Sequence, residues 1–397
     1  MPEHEDLLTK KTILIVSPQD WGKMFVSKHH YALELAKRGN RVFFLNPPEV
    51  DSKRAADGKG KGDAGKIRIE PSAVHENLWL ISHRLSFPYN IKFHFIGLFH
   101  LLMRPHVKKI LRKIGRPVDI VWSFDLGHLY PFSFFPRESF KLFHPVDEPL
   151  NKTAIDSAAG SQIIFSVTRE ILDKYQGGVP KHFINHGVAG EFLEPFPIDT
   201  ATHQPVRVGF SGNLLREDTD RAAFLQIVRE NPDCIFECWG SYKAGQSNIG
   251  GGGTEGVDAF IGALQENKNC ILHGVVDTKT LAKELQRMDA FLICYDINKD
   301  QSKGTNYHKV MEYISRGKAI ISNNITTYSG EPDLVSMTRS REGNEELPHL
   351  FKTVVGDLSV CNSQALQEKR IRYARENSYS RQLDRISQHI REAINKR

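Results

Sequence analysis

The sequence contains little cysteine, and none of it is spaced for a disulfide framework or a zinc site. Its 397 residues include five cysteines, all in the second half, and no two of them form a CxxC pair. Most lie in or beside apolar runs such as CIFECWG and FLICYD. This placement predicts buried free thiols in a reducing compartment. The five are Cys234, Cys238, Cys270, Cys294 and Cys361.

Long hydrophobic runs are also absent. No segment approaches the ~20 apolar residues that span a bilayer, although 40% of the residues are hydrophobic, as in ordinary soluble proteins. The first residues, MPEHEDLLTKK, are polar and acidic, which predicts no secretory signal. The length predicts two domains. These features together predict a cytoplasmic protein.

The common nucleotide-binding loops are missing. The first predicted strand runs into SPQDWG without GxGxxG, which argues against a dinucleotide-dependent oxidoreductase. The stretch 245–256, GQSNIGGGGTEG, lacks the order of a P-loop. We expect it to be a flexible connector, although exposed amides in such a loop can bind phosphate. The charged, glycine-rich stretch 51–65 predicts a disordered loop.

Predicted strands alternate with predicted helices in both halves of the chain. This alternation predicts two parallel sheets, each covered by helices on both faces. The proline-rich stretch 191–205 between the halves predicts a linker. Strands are predicted at 12–17, 41–48, 118–124, 162–167 and 206–213 and in CIFECWG, CILHG, DAFLICY and KAIIS, and helices at 29–39 and 220–231.

The segment NYHKVMEYISRGKAIIS has the pattern loop, helix, glycine, strand. Thr305 or Asn306 is the expected N-cap. Lys309 and Glu312, three residues apart, lie on one helix face. A lysine near a helix N-terminus suits a phosphate, and a carboxylate one turn later can accept hydrogen bonds from ribose. The alternative is a solvated ion pair worth about 0.2–0.5 kcal/mol.

This segment belongs to a longer series of motifs that resembles one enzyme family. The series includes SPQDWGKMFVSKHHYALELAKRGNRVFFLNPP, FKLFHPVDE, FINHGV, VGFSGNLLRED and LQRMDAFLICYD. Together they resemble the GT-B glycosyltransferases, in particular the family 4-like bacterial group that builds cell-surface polysaccharides. The resemblance covers about the whole chain, and the NYHKVMEYISRGKAII segment is its most specific part.

The resemblance implies an α/β fold of two Rossmann-like, doubly wound domains that face a central cleft. The implied domains are residues 1–190 on the acceptor side and 206–375 for the nucleotide sugar. A linker at 191–205 separates them, and a C-terminal helix within 376–397 crosses back to the first domain. The implied reaction moves a sugar from a nucleotide diphosphate-sugar to a glycan or lipid-linked acceptor, with retention. No cofactor and no metal are implied.

The family's donor-binding residues fall on recognisable positions of this chain. Glu312 would bind the ribose, and Lys309 with Arg216 the diphosphate. The chain departs from the family at Gly304, where relatives carry a glutamate, and at Asn213, where they often carry an arginine. The remaining implied donor-site positions are Gly212, Asn306 and His308, with the loop around Gly22 on the opposite wall.

FHPVDEPLN follows a predicted strand where relatives carry catalytic-wall residues. Asp147 is the first candidate to position the acceptor or take its proton, followed by His144 and Glu148; each can instead be a polar cap at a strand end. His186 in NHGV is expected to be a hinge-loop residue. Asp218-Thr219-Asp220 looks like the DxD metal motif, but its place before a helix favours capping.

Positive charge is concentrated in the first half. Residues 1–200 hold 27 Lys+Arg and 22 Asp+Glu, an excess of five, whereas residues 201–397 hold 26 and 25. The segment 77–118 contains eight basic residues, no acidic residue and several aromatics. Within it, an apolar stripe at Val107, Ile110, Leu111 and Ile114 predicts either a helix on an anionic membrane or a helix packed on the core. Nucleic acid is a third possible partner, although no nucleic-acid motif frames the segment.

Two functions on the same fold stay open at this stage. A nucleotide-sugar epimerase would need no second substrate. A non-catalytic binding protein is suggested by Gly304 in place of the family's glutamate. Our expectation is a transferase that is cytoplasmic or peripheral on the inner face of the plasma membrane. Its acceptor would be membrane-bound, such as a polyprenyl-linked sugar, and its membrane contact would lie within 84–116.

Overall fold

The structure is a computed structural model that describes residues 7–22, 25–49, 64–243, 256–300 and 305–395. The predictions for Gly304 and for most of 51–65 and 245–256 lie outside these ranges. The chain forms two compact units. One is Met1–Asn185 with Gln382–Arg397, in the parts that are described, and the other is His186–Arg381.

The first unit contains a sheet of eight strands in the order β3-β4-β2-β1-β5-β6-β7-β8. All neighbours are parallel except β3 and β4. The central strand, TILIV, is buried at all five positions because neither face of an interior parallel strand meets water. The strands are β1 (Thr12–Val16), β2 (Arg41–Leu45), β3 (Ile67–Pro71), β4 (Leu78–His83), β5 (Ile120–Ser123), β6 (Phe140–Phe143), β7 (Ile163–Ser166) and β8 (Lys181–Phe183).

In the described part of the first unit, five helices connect these strands. The longest ends at Gly115, whose left-handed backbone stops it, as is common for glycine after a helix. The helices are α1 (Ser27–Lys37), α2 (Ile91–His94), α3 (Ile96–Ile114), α4 (Lys152–Asp156) and α5 (Arg169–Asp173).

The second unit contains a six-stranded parallel sheet in the order β11-β10-β9-β12-β13-β14. Its strands are β9 (Val206–Ser211), β10 (Cys234–Trp239), β11 (Cys270–Gly274), β12 (Ala290–Ile293), β13 (Ala319–Ser322) and β14 (Ser336–Met337). Its helices are α6 (Arg221–Glu230), α7 (Val257–Glu266), α8 (Thr278–Leu285), α9 (His308–Ile314), α10 (Leu347–Gly356), α11 (Leu358–Cys361) and α12 (Gln364–Glu376). The predicted alternation of strands and helices is confirmed in both units.

The stretch predicted as a linker, 191–205, packs on the second unit. Lys318 Nζ and Gln367 Nε2 donate to the Asp199 carbonyl at 2.6 and 2.8 Å. His203 contacts the buried Asp289 carboxylate. These contacts satisfy the backbone of a segment without regular structure, so the segment belongs to that unit.

The last helix, α13 (Tyr379–Asn395), joins the first unit from Gln382 onward. Gln382 Nε2 donates to the Asn185 carbonyl at 3.0 Å, and Asp384 pairs with Arg38 at 2.7 Å. The division at residues 185 and 381 therefore differs by a few residues from the boundaries at 190 and 375 that the sequence suggested.

The apolar stripe of α3 faces the core of the first unit. Val107, Ile110 and Ile114 are buried and belong to its main apolar cluster. Of the two placements that the sequence allowed for this stripe, the core placement is correct. None of the described helices combines the length and apolar character needed to cross a membrane. Four of the five free cysteines are buried, as predicted.

Candidate functional site

The first group of predicted site residues lies at one edge of the second sheet. The chain leaves β9 toward β10 on one side, while β12 lies on the other side of β9. Ligands of doubly wound sheets bind at the carboxyl ends of strands where the order reverses in this way. Gly212 follows β9, Tyr295 follows the end of β12, and α9 begins at His308.

Lys309 places its ammonium group between aromatic rings at this edge. Lys309 Nζ lies 4.5 Å from the centre of the Phe210 ring and 4.8 Å from that of Tyr295, and it donates to the Tyr295 hydroxyl. Burial lowers the pKa of Lys309 to about 7, with repulsion from Arg216 as a second cause, although Glu312 and Asp218 oppose the shift. An anionic ligand next to this ammonium would stabilise its charged form, which burial otherwise disfavours.

Glycine is required at position 212 for two reasons. Its φ of +153° lies in a region that other residues rarely adopt. An added Cβ would also overlap Lys309 Nζ and would lie 3.2 Å from the Tyr295 hydroxyl. The backbone of Gly212 therefore borders the ammonium directly.

Arg216 extends from the loop after Gly212 but is already paired. Its guanidinium donates to both oxygens of Asp218, with Nε at 2.7 Å from Oδ1. This hydrogen-bonded pair raises the pKa of Arg216. The Arg216 side chain remains 47% exposed, so it can still reach a ligand while Asp218 stays buried.

The predicted capping role of Asp218-Thr219-Asp220 is confirmed for one residue only. Asp220 caps α6 by accepting from the Ala223 N–H at 3.1 Å. Asp218 is not a cap but the buried partner of Arg216. The described residues contain no group of three or more His, Cys, Asp or Glu side chains arranged to hold a metal ion.

Glu312 is oriented through His308. His308 Nδ1 lies 3.3 Å from Glu312 Oε1, and His308 Nε2 lies 2.9 Å from the Tyr379 hydroxyl. The two ring nitrogens of His308 therefore connect the Glu312 carboxylate to the Tyr379 hydroxyl. Tyr379 in turn packs on the backbone of Gly187, where an added Cβ would lie 2.5 Å from the ring. His186 contacts His308 edge-on at 5.4 Å.

The predicted N-cap of the helix is wrong. α9 has Tyr307 as its N-cap, without a side-chain capping bond. The Thr305 carbonyl is engaged elsewhere, since it accepts from the N–H and hydroxyl of Thr327. The helix therefore begins after Thr305 and the buried Asn306 rather than at them. Tyr307 donates its hydroxyl to Asp300 at 2.8 Å, which fixes the turn into the helix.

The second group of predicted residues follows β6 in the first unit. His144 is fully buried, and its ring stacks on Phe124 at 5.0 Å and on Trp122 at 5.9 Å. Neither ring nitrogen has a hydrogen-bond partner in the described part of the chain. Burial lowers the pKa of His144 to about 3, and the charge of Lys28 lowers it too. The ring is therefore neutral at pH 7, and its two nitrogens are buried polar atoms without a partner among the described residues, which is rare in folded proteins.

The other residues of this group differ in exposure. Asp147 is exposed, and Glu148 pairs with Lys174 at 3.3 Å. Lys28, in the first turn of α1, is buried and donates to Gln19 Oε1 at 2.7 Å. Burial lowers the pKa of Lys28, while the negative charge of Asp147 raises it. Gly22 lies in the loop between β1 and α1, next to the undescribed residues 23–24.

No protein-family model matches the chain, and no curated protein matches its sequence. Solved structures do match it over nearly its full length, and they are GT-B glycosyltransferases. The chain has the GT-B fold. This confirms the predicted fold class.

Three of these structures illustrate the likeness. Sucrose-phosphate synthase from Thermosynechococcus elongatus has a TM-score of 0.66 at 10% identity and covers 98% of this chain and 100% of its own. Anabaena HepE in complex with UDP and glucose has a TM-score of 0.63 at 12% identity, covering 97% and 99%. A trehalose-6-phosphate structure from E. coli bound with UDP-2-fluoro glucose has a TM-score of 0.62 at 12% identity, covering 96% and 98%.

Three contacting residues were not predicted from the sequence. Phe210 and Tyr295 enclose Lys309, and Lys28 lies near His144. Tyr295 had a usable signal, since it ends the predicted strand DAFLICY and hence lies at the carboxyl end of a strand next to β9. Lys28 had none, because a lysine in an amphipathic helix normally predicts a solvated position.

Proposed function

We propose that this protein is a glycosyltransferase that uses a nucleotide diphosphate-sugar donor. The observation that carries the proposal is the Lys309 ammonium, held by Phe210, Tyr295 and Gly212 at the carboxyl edge of a doubly wound sheet. A buried cation at this edge suits a phosphate group. Glu312 lies one turn after Lys309 on the same helix and contacts His308. Its carboxylate can accept hydrogen bonds from ribose hydroxyls.

The same residues suit the chemistry of sugar transfer. When the glycosidic bond to the donor breaks, negative charge develops on the leaving diphosphate. Positively charged groups fixed in advance stabilise that charge without reorganising. Lys309 is such a group, and Arg216 is a second because its pairing with Asp218 fixes the direction of the guanidinium. Together they supply what a divalent ion supplies in other enzymes.

The identity of the substrates is part of the proposal. UDP is bound in the HepE structure and a UDP-sugar in the E. coli structure, so UDP-sugars are the first donors to test. The acceptor is proposed to be a glycan or a lipid-linked sugar on the cytoplasmic side of a membrane, in cell-surface polysaccharide synthesis. Transfer is proposed to retain the anomeric configuration, which the product's proton spectrum would report. Asp147, exposed and near the positive charge of Lys28, is the proposed group for the acceptor hydroxyl.

Changing Glu312 to Gln should weaken binding of the nucleoside and the nucleoside diphosphate equally. The side chain keeps its shape but loses the charge that ribose hydroxyls contact. Hydrogen bonds to charged groups contribute about 1.5–3 kcal/mol, so the dissociation constants should rise about 10-fold or more. Calorimetry with uridine and UDP measures both. Unchanged uridine affinity would show that Glu312 does not contact the ribose. The matched control is Glu230→Gln, an exposed residue at the end of α6.

Activity should persist in a metal chelator. Asp218 is engaged by Arg216 and Asp220 by the helix that it caps, so neither carboxylate needs an ion. Asp218→Asn should keep nucleotide binding in the chelator, although it loses one charged partner of Arg216. Loss of activity in the chelator that Mg²⁺ or Mn²⁺ restores would instead assign Asp218 and Asp220 as metal ligands.

A further inference from the structure

Half of the exposed large hydrophobic side chains in the described part of the chain lie within nine residues. Single exposed apolar residues are ordinary on protein surfaces, but clusters mark interaction sites. We call this cluster the apolar patch. It consists of Phe93, Phe95, Ile96, Leu98 and Leu101, which are 68%, 67%, 37%, 46% and 69% exposed.

The patch is what remains after α3 has packed on the first unit. Phe99, Met103 and Val107, on the opposite side of the helix, are buried. With 3.6 residues per turn, Leu98 and Leu101 cannot join that buried side. Their exposure therefore follows from the side of the helix on which they lie, which faces away from the core.

Basic side chains continue the same exposed side of α3 beyond the patch. Arg104 follows Leu101 by about one turn and Lys108 by about two, a distance of ~10 Å along the axis. We call Arg104, Lys108, Lys109 and Arg112 the basic stretch, and all four are exposed. No acidic residue occurs from Asn77 through Val118 to neutralise it. Lys113 is not included because its ammonium donates to the Ile67 carbonyl.

We propose that the apolar patch inserts into an anionic lipid surface while the basic stretch contacts the headgroups. Protruding phenylalanine and leucine next to lysine and arginine are the chemistry of membrane-surface helices. The area argues against a stable dimer. At about 200 Å² for each side chain the patch exposes roughly 570 Å², less than the ~800 Å² per partner of a specific interface.

The inserted residues lie within the segment 84–116 that the sequence suggested for membrane contact, but not on its predicted apolar stripe. The stripe at Val107, Ile110 and Ile114 is packed in the core, so we assign lipid contact to the apolar patch at the start of α3. Lipid binding needs no nucleotide, donor or acceptor. Failure of this inference is therefore distinguishable from failure of the proposed transferase activity.

Co-sedimentation with vesicles tests the proposal. The wild-type chain should bind vesicles of phosphatidylcholine with phosphatidylglycerol and release them at raised salt, because salt screens the basic stretch. Replacing Phe95, Leu98 and Leu101 together by Gln should lower the vesicle partition coefficient at least tenfold for each side chain. Replacing the basic stretch by Gln should lower it about fivefold for each charge, and only on the anionic vesicles.

A matched control and three outcomes make the test decisive. Val74→Gln with Leu150→Gln removes exposed apolar residues elsewhere in the same unit and should leave binding unchanged. Unchanged thermal unfolding of every variant shows that the fold is intact, since all replaced side chains are exposed. The proposal is overturned if the apolar-patch variant and the basic-stretch variant both bind vesicles like wild type. It is overturned, too, if the wild type binds neutral vesicles as well as anionic ones. It is also overturned if the wild type self-associates and the apolar variant does not, which would make the patch a protein interface.

Discussion

Replacing Lys309 by Met should weaken UDP binding about 10- to 100-fold while leaving uridine binding nearly unchanged. The methionine fills the space between the Phe210 and Tyr295 rings but carries no charge. A charged hydrogen bond to a buried phosphate contributes about 1.5–3 kcal/mol, which sets the size of the loss. Calorimetric titration of the wild type and the variant with UDP and uridine measures it. Equal UDP affinity would mean that the lysine serves only the packing of α9.

A folding defect is distinguishable from this loss. Without ligand, the Lys309→Met variant should be at least as stable as wild type at pH 7, because burial makes the charged lysine costly. Lys352→Met on the surface of α10 removes an ion pair with Glu230 and is the matched control. It should leave UDP affinity unchanged, since this exposed pair joins α10 to α6 and neither residue is among the side chains that contact Lys309.

The lowered pKa of Lys309 also gives the binding a pH dependence. Above pH 7 the free protein increasingly holds Lys309 neutral, so binding of the diphosphate must take up a proton. The dissociation constant of UDP should therefore rise as the pH increases from 7 to 9, by up to about tenfold per unit. The diphosphate itself is ionised throughout this range. Lys309→Met should abolish the slope.

Replacing His144 by Phe should raise stability and lower turnover by a large factor. The ring keeps its shape and its stacking on Phe124 and Trp122, but two buried nitrogens without partners disappear. Each such group costs about 1–3 kcal/mol, so the unfolding temperature should rise by a few degrees. Turnover should fall about 100-fold or more if the nitrogens contact a reacting group. Thermal denaturation and the rate of sugar transfer from donor to acceptor, measured on the same preparation, report both changes.

His83 provides the control for this substitution. It is equally buried in the same unit, but its ring contacts His106 at 2.9 Å, the Asn46 carbonyl at 3.1 Å and the Tyr130 hydroxyl at 2.9 Å. His83→Phe should therefore destabilise the protein. A His144→Phe variant that retains turnover would show that His144 only fills space. A His144→Phe variant that is less stable than wild type would show that the ring nitrogens have hydrogen-bond partners in solution.

The alternation of apolar and amphipathic segments was enough to predict both sheets. Burial on both faces leaves runs such as TILIV and AFLI nearly free of polar residues, and such runs are visible in the sequence. The linker was harder to predict. Prolines and polar residues in 191–205 suggested a free connector, yet Asp199 and His203 are tied to side chains distant in sequence. Composition carries no information about such partners.

Site residues could be predicted where their spacing along one helix determines their positions. They could not be predicted where the fold brings together segments that are distant in sequence. Lys309 and Glu312 followed from helix geometry, and Arg216 from the family resemblance. The enclosure of Lys309 by Phe210 and Tyr295 depends on how β9, the residues after β12 and α9 meet at one sheet edge. The N-cap was mispredicted because Thr305 is bound to Thr327, a contact that no local pattern indicates.

The central claim is most directly tested by following sugar transfer itself. The protein would be incubated in a chelator with a panel of nucleotide sugars and a lipid and glycan extract, and products would be analysed by mass spectrometry. The account predicts that one donor yields its nucleoside diphosphate and an extract component heavier by one sugar, in equal amounts, and that Lys309→Met yields neither. Epimerised donor without transfer, or no nucleoside diphosphate above the Lys309→Met background for any donor, would contradict it.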